Sequence, residues 1–282
     1  MRLDQEVAML TTEENPRELG RRAVQNTVDE ATWKKNRKFC EYLKAQIAKH
    51  PMANHPIIEF FDNEIIPEGN SKNLHLEFGR AFAQVFTDGV INAMALSTQL
   101  ESRLGPQGKI TARFLWAINL MDELGYAPSS DGENYKGNPN NAHYSLYMKT
   151  LMDLGSSESE FNTHQLSEEA KKARATYEDQ YDNYVNLAVV LAMSEEIFDD
   201  FASSWAKNTA RSSKVDTSQG YHTIHVEDEE GSSIEDDHSE DGWYLVAQAI
   251  TPDDYETIES NVNNWLDVWY KYADKMLEIA IQ

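Results

Sequence analysis

The stretch NLHLEFGRAFAQVFTDGVINAMALSTQLESRL, residues 73–104, decides the fold class. Leu74, Phe78, Phe82, Val85, Phe86, Val90 and Met94 recur mostly at three- and four-residue steps. That spacing lines one face of an α-helix and has no place on a strand, where alternate residues share a face. The stretch therefore reads as one long helix, stopped by Gly105 and Pro106.

The same period extends in both directions. Residues 109–125 form a second helix through Phe114, Leu115, Ile118 and Met121 and end at Gly125. Ala142 to Leu154 forms another, and Glu168 to about Lys207 holds one long or two broken helices. Asp253 to Ile281 closes the chain with Trp265, Trp269, Tyr272 and Met276. Upstream, Trp33, Cys40, Leu43 and Ile47 mark a helix over Glu30–His50, and HPIIEFFDNEII (55–66) a shorter one. Residues 1–30 are polar and read as peripheral. YAPSSDGENYKGNPNN (126–141) and RSSKVDTSQG (211–220) read as loops by their Gly, Pro, Ser and Asn content. Period-two alternation is almost absent. The expectation is an all-α fold of about seven to nine helices.

Charge narrows the partners. Against 25 Lys and Arg stand 48 Asp and Glu, a formal charge of −23. Such a surface repels phosphate backbones and anionic lipid heads, so neither nucleic acid nor membrane is the expected partner. No uncharged apolar run reaches membrane-spanning length, and MRLDQEVAML lacks the apolar centre of a signal peptide. Cys40 is the only cysteine, which rules out an internal disulfide and points to a reducing cytoplasm.

Four stretches carry candidate chemistry. In FLWAINLMDELG (114–125), Glu123 lies three after Leu120 and borders the apolar stripe; it reads either as an inward carboxylate or as a surface acid beside Asp122. A carboxylate inside needs a cation or a metal. In NPNNAHYSLYMKTLMDLG (138–155), His143 sits in the first helical turn, as a ligand or a packed residue. In NLAVVLAMSEEIFDDFASSW (186–205), Glu195 borders the buried face marked by Leu187, Leu191, Phe198 and Phe201, with Glu196 farther round. In HTIHVEDEEGSSIEDDHSEDGW (222–243), His222 and His225 are three apart, and His225 and Glu229 four apart. On a helix each pair shares a face. Imidazole with carboxylate and no cysteine is the donor set of iron or manganese rather than zinc. A solvated acidic segment reads the same way.

The order of these motifs resembles a known family. HPIIEFFDNEIIP, followed by a long aromatic-rich helix, is similar to the opening of the haem-oxygenase-like (TenA/PqqC-like) helical superfamily. FLWAINLMDELG, a loop, then AHYSLYMKTLMDLG resembles its iron-dependent branch, the haem-oxygenase-like di-iron oxidases. LAMSEE stands where that branch has a central-helix Glu, and YHTIHVEDEE…DDHSEDGW resembles its last ligand segment. The final helix with Trp269 is similar to its closing helix. The resemblance implies a haem-oxygenase-like metal-binding helical domain over residues 55–282, behind a helical extension over 1–54. It implies as ligands Glu123, His143, Glu195, His225, an acid, and His238. The family spacing is His-x3-Asp-x2-His. Glu229 fits the step from His225 and Glu235 the step to His238, both Glu where the family has Asp, and Asp228 stays an alternative.

The implied cofactor is Fe(II), as two irons or as one, with O2 as co-substrate. The implied substrate is a small metabolite, an amino acid or a derivative of one. Its reaction would be N-oxygenation, C–C cleavage, desaturation or cyclisation in specialised metabolism. Tyr144 and Tyr147, beside His143, read as candidate substrate contacts or as ordinary helix packing or surface. Phe82, Phe86 and Trp116 read as core. Arg80 and Arg113 read either as clamps for a substrate carboxylate or as surface salt bridges. The alternatives are a metal-free TenA/PqqC-like enzyme of cofactor metabolism, which needs a nucleophilic cysteine or a basic pocket, and a non-enzymatic helical interaction protein. A homodimer is left open.

Overall fold

A computed structural model describes residues 15–128, 135–218, 220–224 and 234–282, without the side chains at 127, 128, 135, 199 and 234–236. These residues are almost wholly helical, as the periodicity predicts. In chain order the helices are α1 (Pro16–Gln25), α2 (Glu30–Ile47), α3 (Pro56–Asn63), α4 (Glu68–Phe78), α5 (Phe86–Leu96), α6 (Glu101–Glu123) and α7 (His143–Asp153). Then follow α8 (Glu158–Thr163), α9 (Glu168–Glu178), α10 (Tyr184–Ser212), α11 (Tyr221–Ile224), α12 (Ile234–Ala249) and α13 (Tyr255–Ile281). No helix among the described residues is long and apolar enough to cross a membrane.

The segments outnumber the seven to nine expected because α1, α8 and α11 are additional and the long stretch 73–104 is not one helix. After α4 the backbone widens into a π turn, Gly79–Ala83, with the Gln84 amide donating to the Gly79 carbonyl. Gly79 packs against the Tyr147 ring so closely that a Cβ there would lie 2.4 Å from it. A π turn adds a residue to the path and re-aims the side chains that follow. A second break falls where the sequence signals it: Gly105, at φ +68°, turns the path, and a helix resumes at Pro106.

One loop holds regular structure that alternation did not reveal. Tyr126–Pro128 and Tyr135–Gly137 pair antiparallel as β1 and β2, Tyr126 opposite Gly137. Three-residue strands are too short for a period to show.

The helix α10 is the centre of the molecule. Leu187 through Met193 are all at most 2% exposed, so this part of the helix is buried on every side. It packs against α3, α5, α12 and α13. Helix α13 contributes one apolar stripe, through Ile258, Val262, Trp265, Trp269, Tyr272 and Met276. Helix α2 lies on α12 and α13; Asn36 donates to the Ala247 and Ile250 carbonyls and accepts from the Tyr255 hydroxyl.

Helix α1, in the segment read as peripheral, docks on α6 and α12 and buries Gly20, Arg21 and Val24. Polar composition concealed this because its contacts are ionic. Arg21 bonds Asp241 at 2.7 Å and Asp237 at 2.9 Å, and Arg17 pairs with Asp122 and Asp241. Burial raises the Asp241 carboxyl above the ordinary aspartate range even with two guanidiniums pulling against it.

Candidate functional site

The broken path of α4 and α5 leaves room inside the fold. A cavity of about 750 Å³, counted out to its mouth, opens between these helices and α6, α7, α10, α11 and α12. Phe78, Phe82 and Phe86 enter it from the π turn and its flanks. Phe198, Phe201, Ala202 and Trp205 enter from α10, and Tyr221, His222 and Ile224 from α11. The polar part of the wall is Glu123, His143, Glu195 and His238, each from a different helix. Behind Glu123, Glu195 and His238 lies a smaller cavity of about 260 Å³, bounded by Val90, Trp116, Leu191 and Gly242. These three side chains, with Phe86, line both spaces.

Glu123 is the last residue of α6 and is 5% exposed. Its Oε1 lies 3.1 Å from His143 Nδ1, and its Oε2 accepts from Thr87 Oγ1 at 3.1 Å. Gly125 brings the two together. It sits at φ +78°, and a Cβ there would fall 2.6 Å from both the Asn138 carbonyl oxygen and the Ala142 amide nitrogen. Only glycine fits a turn that is both left-handed and this close. The chain leaves α6, passes β1 and β2, and returns so that α7 begins opposite the end of α6.

Glu195 and His238 make a second pair across α10 and α12. His238 Nε2 is 3.2 Å from Asp122 Oδ2, and Nδ1 is 3.9 Å from Glu195 Oε1. The first distance is a hydrogen bond and the second is too long for one. With Nε2 on Asp122, Nδ1 is the ring nitrogen that faces Glu195. Two ligands of one ion, each at about 2.1 Å, stand about 3 to 4 Å apart, so both pairs have the spacing of donors to a common ion. Oxygen and imidazole nitrogen without sulfur fit iron or manganese. In donor chemistry the residues present fit a non-haem iron. Among the described residues, no three of His, Cys, Asp and Glu are grouped to hold a metal ion. His225 and Glu229, with the side chain of Glu235, lie outside the described residues.

Glu195 lines the cavity and Glu196 does not. Glu196 turns toward α12 and α2, accepting from Ser239 Oγ at 2.6 Å and Trp243 Nε1 at 2.9 Å, with Lys44 at 3.2 Å. Tyr144 reaches the cavity. Tyr147 does not: it is fully buried, and its hydroxyl donates to the His75 carbonyl at 2.5 Å. Phe82 and Phe86, read as core, are also cavity wall. Neither Arg80 nor Arg113 lines the cavity, and neither makes an ion pair among the described residues. Arg80 donates to the Phe161 and Asn162 carbonyls, and Arg113 to the Met94 carbonyl and Ser97.

One residue that contacts the cavity wall escapes the sequence reading. Asp122, beside Glu123, holds His238 and is itself held by Arg17. Its signal is weak, since the arginine comes from a remote helix. His222 lines the cavity, and its Nε2 meets His75 Nε2 at 3.1 Å. His75 is fully buried with Nδ1 at 2.7 Å from the Ser71 carbonyl, and burial lowers its pKa to about 4. The three-residue step from His222 to His225 was visible in the sequence. No family model matches this chain, and neither does any curated protein.

Proposed function

We propose that this protein is a non-haem iron, O2-dependent oxidase or oxygenase of haem-oxygenase-like architecture, acting on a small molecule held in the large cavity. The observation that supports this is the meeting of two carboxylate–imidazole pairs, drawn from four helices, in one cavity wall. Helix-bundle proteins that hold two irons use inward Glu and His in this manner. Glu123, His143, Glu195 and His238 would hold the metal, with His225 and an acid of 228–235 completing the set. Iron bound there supplies the redox chemistry that activates O2, which no amino-acid side chain provides.

The chain's own residues have distinct tasks. Asp122 fixes the tautomer of His238 by taking its Nε2–H, and Arg17 fixes Asp122. Thr87 holds one oxygen of Glu123 and leaves the other directed at His143. The aromatic walls exclude water and hold the substrate body beside the polar part of the wall. The neighbouring reading, a hydrolase with a thiol nucleophile, meets an obstacle at Cys40. That thiol is fully buried beside the Trp243 carbonyl, away from the cavity, and burial pushes its pKa up to about 12.

The test is oxygen uptake by protein loaded anaerobically with Fe(II), against protein loaded with Zn(II). The proposal expects uptake above free Fe(II) only in the first, abolished by Glu195→Ala. Equal uptake by wild type and Glu195→Ala contradicts it.

A further inference from the structure

The smaller cavity, about 260 Å³, lies between α5, α6, α10 and α12. Glu123, Glu195, His238 and Phe86 belong to its wall and to that of the larger cavity. Val90, Trp116, Asn119, Leu191, Ala192 and Gly242 belong to its wall alone. Of these six, only Asn119 has a polar side chain apart from the indole of Trp116. The one N–H of that indole is already given to the Tyr184 hydroxyl at 3.2 Å. The Asn119 side-chain carbonyl accepts from Arg17 at 2.6 Å. Val90, Trp116, Leu191 and Ala192 are at most 2% exposed, so this end of the space is closed to solvent by packed apolar groups. Its floor is tight. A Cβ on Gly242 would fall 2.9 Å from the Ala192 Cβ, so neither position has room for a larger side chain without a shift.

Size and lining together narrow the occupant. Pockets for metabolites and drug-sized ligands run from about 300 Å³ upward. The smaller cavity falls below that range and suits a molecule of very few atoms. An ordered buried water needs two to four polar partners. The wall that belongs to this space alone offers the amide of Asn119 and no other open polar side chain among the described residues. Apolar cavities stay dry and take apolar guests such as xenon. Dioxygen is diatomic and apolar, and it gains by leaving water for such a wall. The same wall includes Glu123, Glu195 and His238, the residues proposed to hold iron.

We propose that the smaller cavity binds a small apolar gas, and that in the proposed oxidation this gas is O2, held beside the metal ligands while the substrate body fills the larger cavity. Binding of the gas stands on the cavity wall. Its role as the O2 site rests on the proposed function.

The test uses xenon as the probe. Crystals of the full chain, without added metal, are pressurised with xenon, and the anomalous signal locates it. Xenon is expected between Val90, Trp116 and Leu191. Val90→Phe and the milder Val90→Ile fill the space from α5. Whichever of them keeps the wild-type circular dichroism is expected to bind xenon about tenfold more weakly or worse. Loaded with Fe(II), the same variant is expected to show an O2 KM raised about threefold or more. The inference is overturned if ordered water fills the smaller cavity and xenon does not enter it, if xenon enters only the larger one, or if the folded variant matches wild type in xenon binding. Xenon at this place in a protein that consumes no O2 with Fe(II) would uphold the gas site and sink the proposed function. Fe(II)-dependent O2 uptake with no xenon at this place would do the reverse.

Discussion

Glu123 Oε1 and His143 Nδ1 lie 3.1 Å apart, one at the last residue of α6 and the other at the first of α7. A carboxylate so buried at a helix C-terminus faces the negative end of the helix dipole and has lost most of its water. It is stable there only with partners, and Thr87 and His143 are two of them. A fold that needed only stability would fill this position with an apolar side chain. The arrangement is understandable as a place kept for a cation.

Asp122 acts on that place through His238. Asp122→Asn keeps the shape but removes the charged acceptor and lets the ring rotate. Such a change is expected to weaken Fe(II) binding by about 10- to 100-fold while leaving the stoichiometry at saturation unchanged. Competition against a chelator of known affinity measures it. Unchanged affinity would remove Asp122 from the account.

Arg21 tests the docking of α1. Asp241 is fully buried, and Arg21 supplies one of its two guanidinium partners. Arg21→Ala leaves that carboxylate with only Arg17 and is expected to destabilise the protein by about 3 kcal/mol. The readout is the urea midpoint. A loss under about 0.5 kcal/mol, the range of ordinary surface changes, would mean that α1 is not anchored this way.

The buried Glu77 supplies the pH dependence. Burial works against its ionised form, but hydrogen bonds from His164 at 2.6 Å and the Ser167 amide at 2.9 Å prevail, and its pKa is lowered. A depressed folded-state pKa contributes stability that is present above the unfolded value, near about 4.3, and is lost as pH falls through the folded one. The stability gap between wild type and Glu77→Gln is therefore expected to be largest at neutral pH and to shrink below about pH 4. Denaturant titrations at several pH values check this, and a gap that widens toward acid would contradict it.

Cys40 is expected to resist iodoacetamide in the native protein at mildly alkaline pH and to react fully once urea unfolds it. Mass spectrometry of the intact chain reads both states. Rapid native alkylation would return the thiol to consideration as a nucleophile.

The helical class was legible because long apolar stripes at three- and four-residue steps, such as that of α13, belong to no other element. The breaks were less legible. The π turn at Gly79 lies against the Tyr147 ring, a contact between distant segments. At the site, Glu195 could be read from its step to Phe198 on one helix face. Asp122 could not, because its role depends on Arg17 and His238, both remote in sequence. Tyr147 shows the same limit, since periodicity gives a side chain's direction but not whether it stops at a cavity or in the core.

Iron stoichiometry tests the central claim most directly. Purified protein, stripped by chelator and titrated anaerobically with Fe(II), is to be compared with His238→Ala and Glu123→Ala of unchanged circular dichroism. The account predicts roughly one to two irons per chain in the wild type, as a helix-bundle carboxylate–histidine site holds, and a marked loss in each variant. No iron retained by the wild type, or the same amount retained by all three, would contradict it.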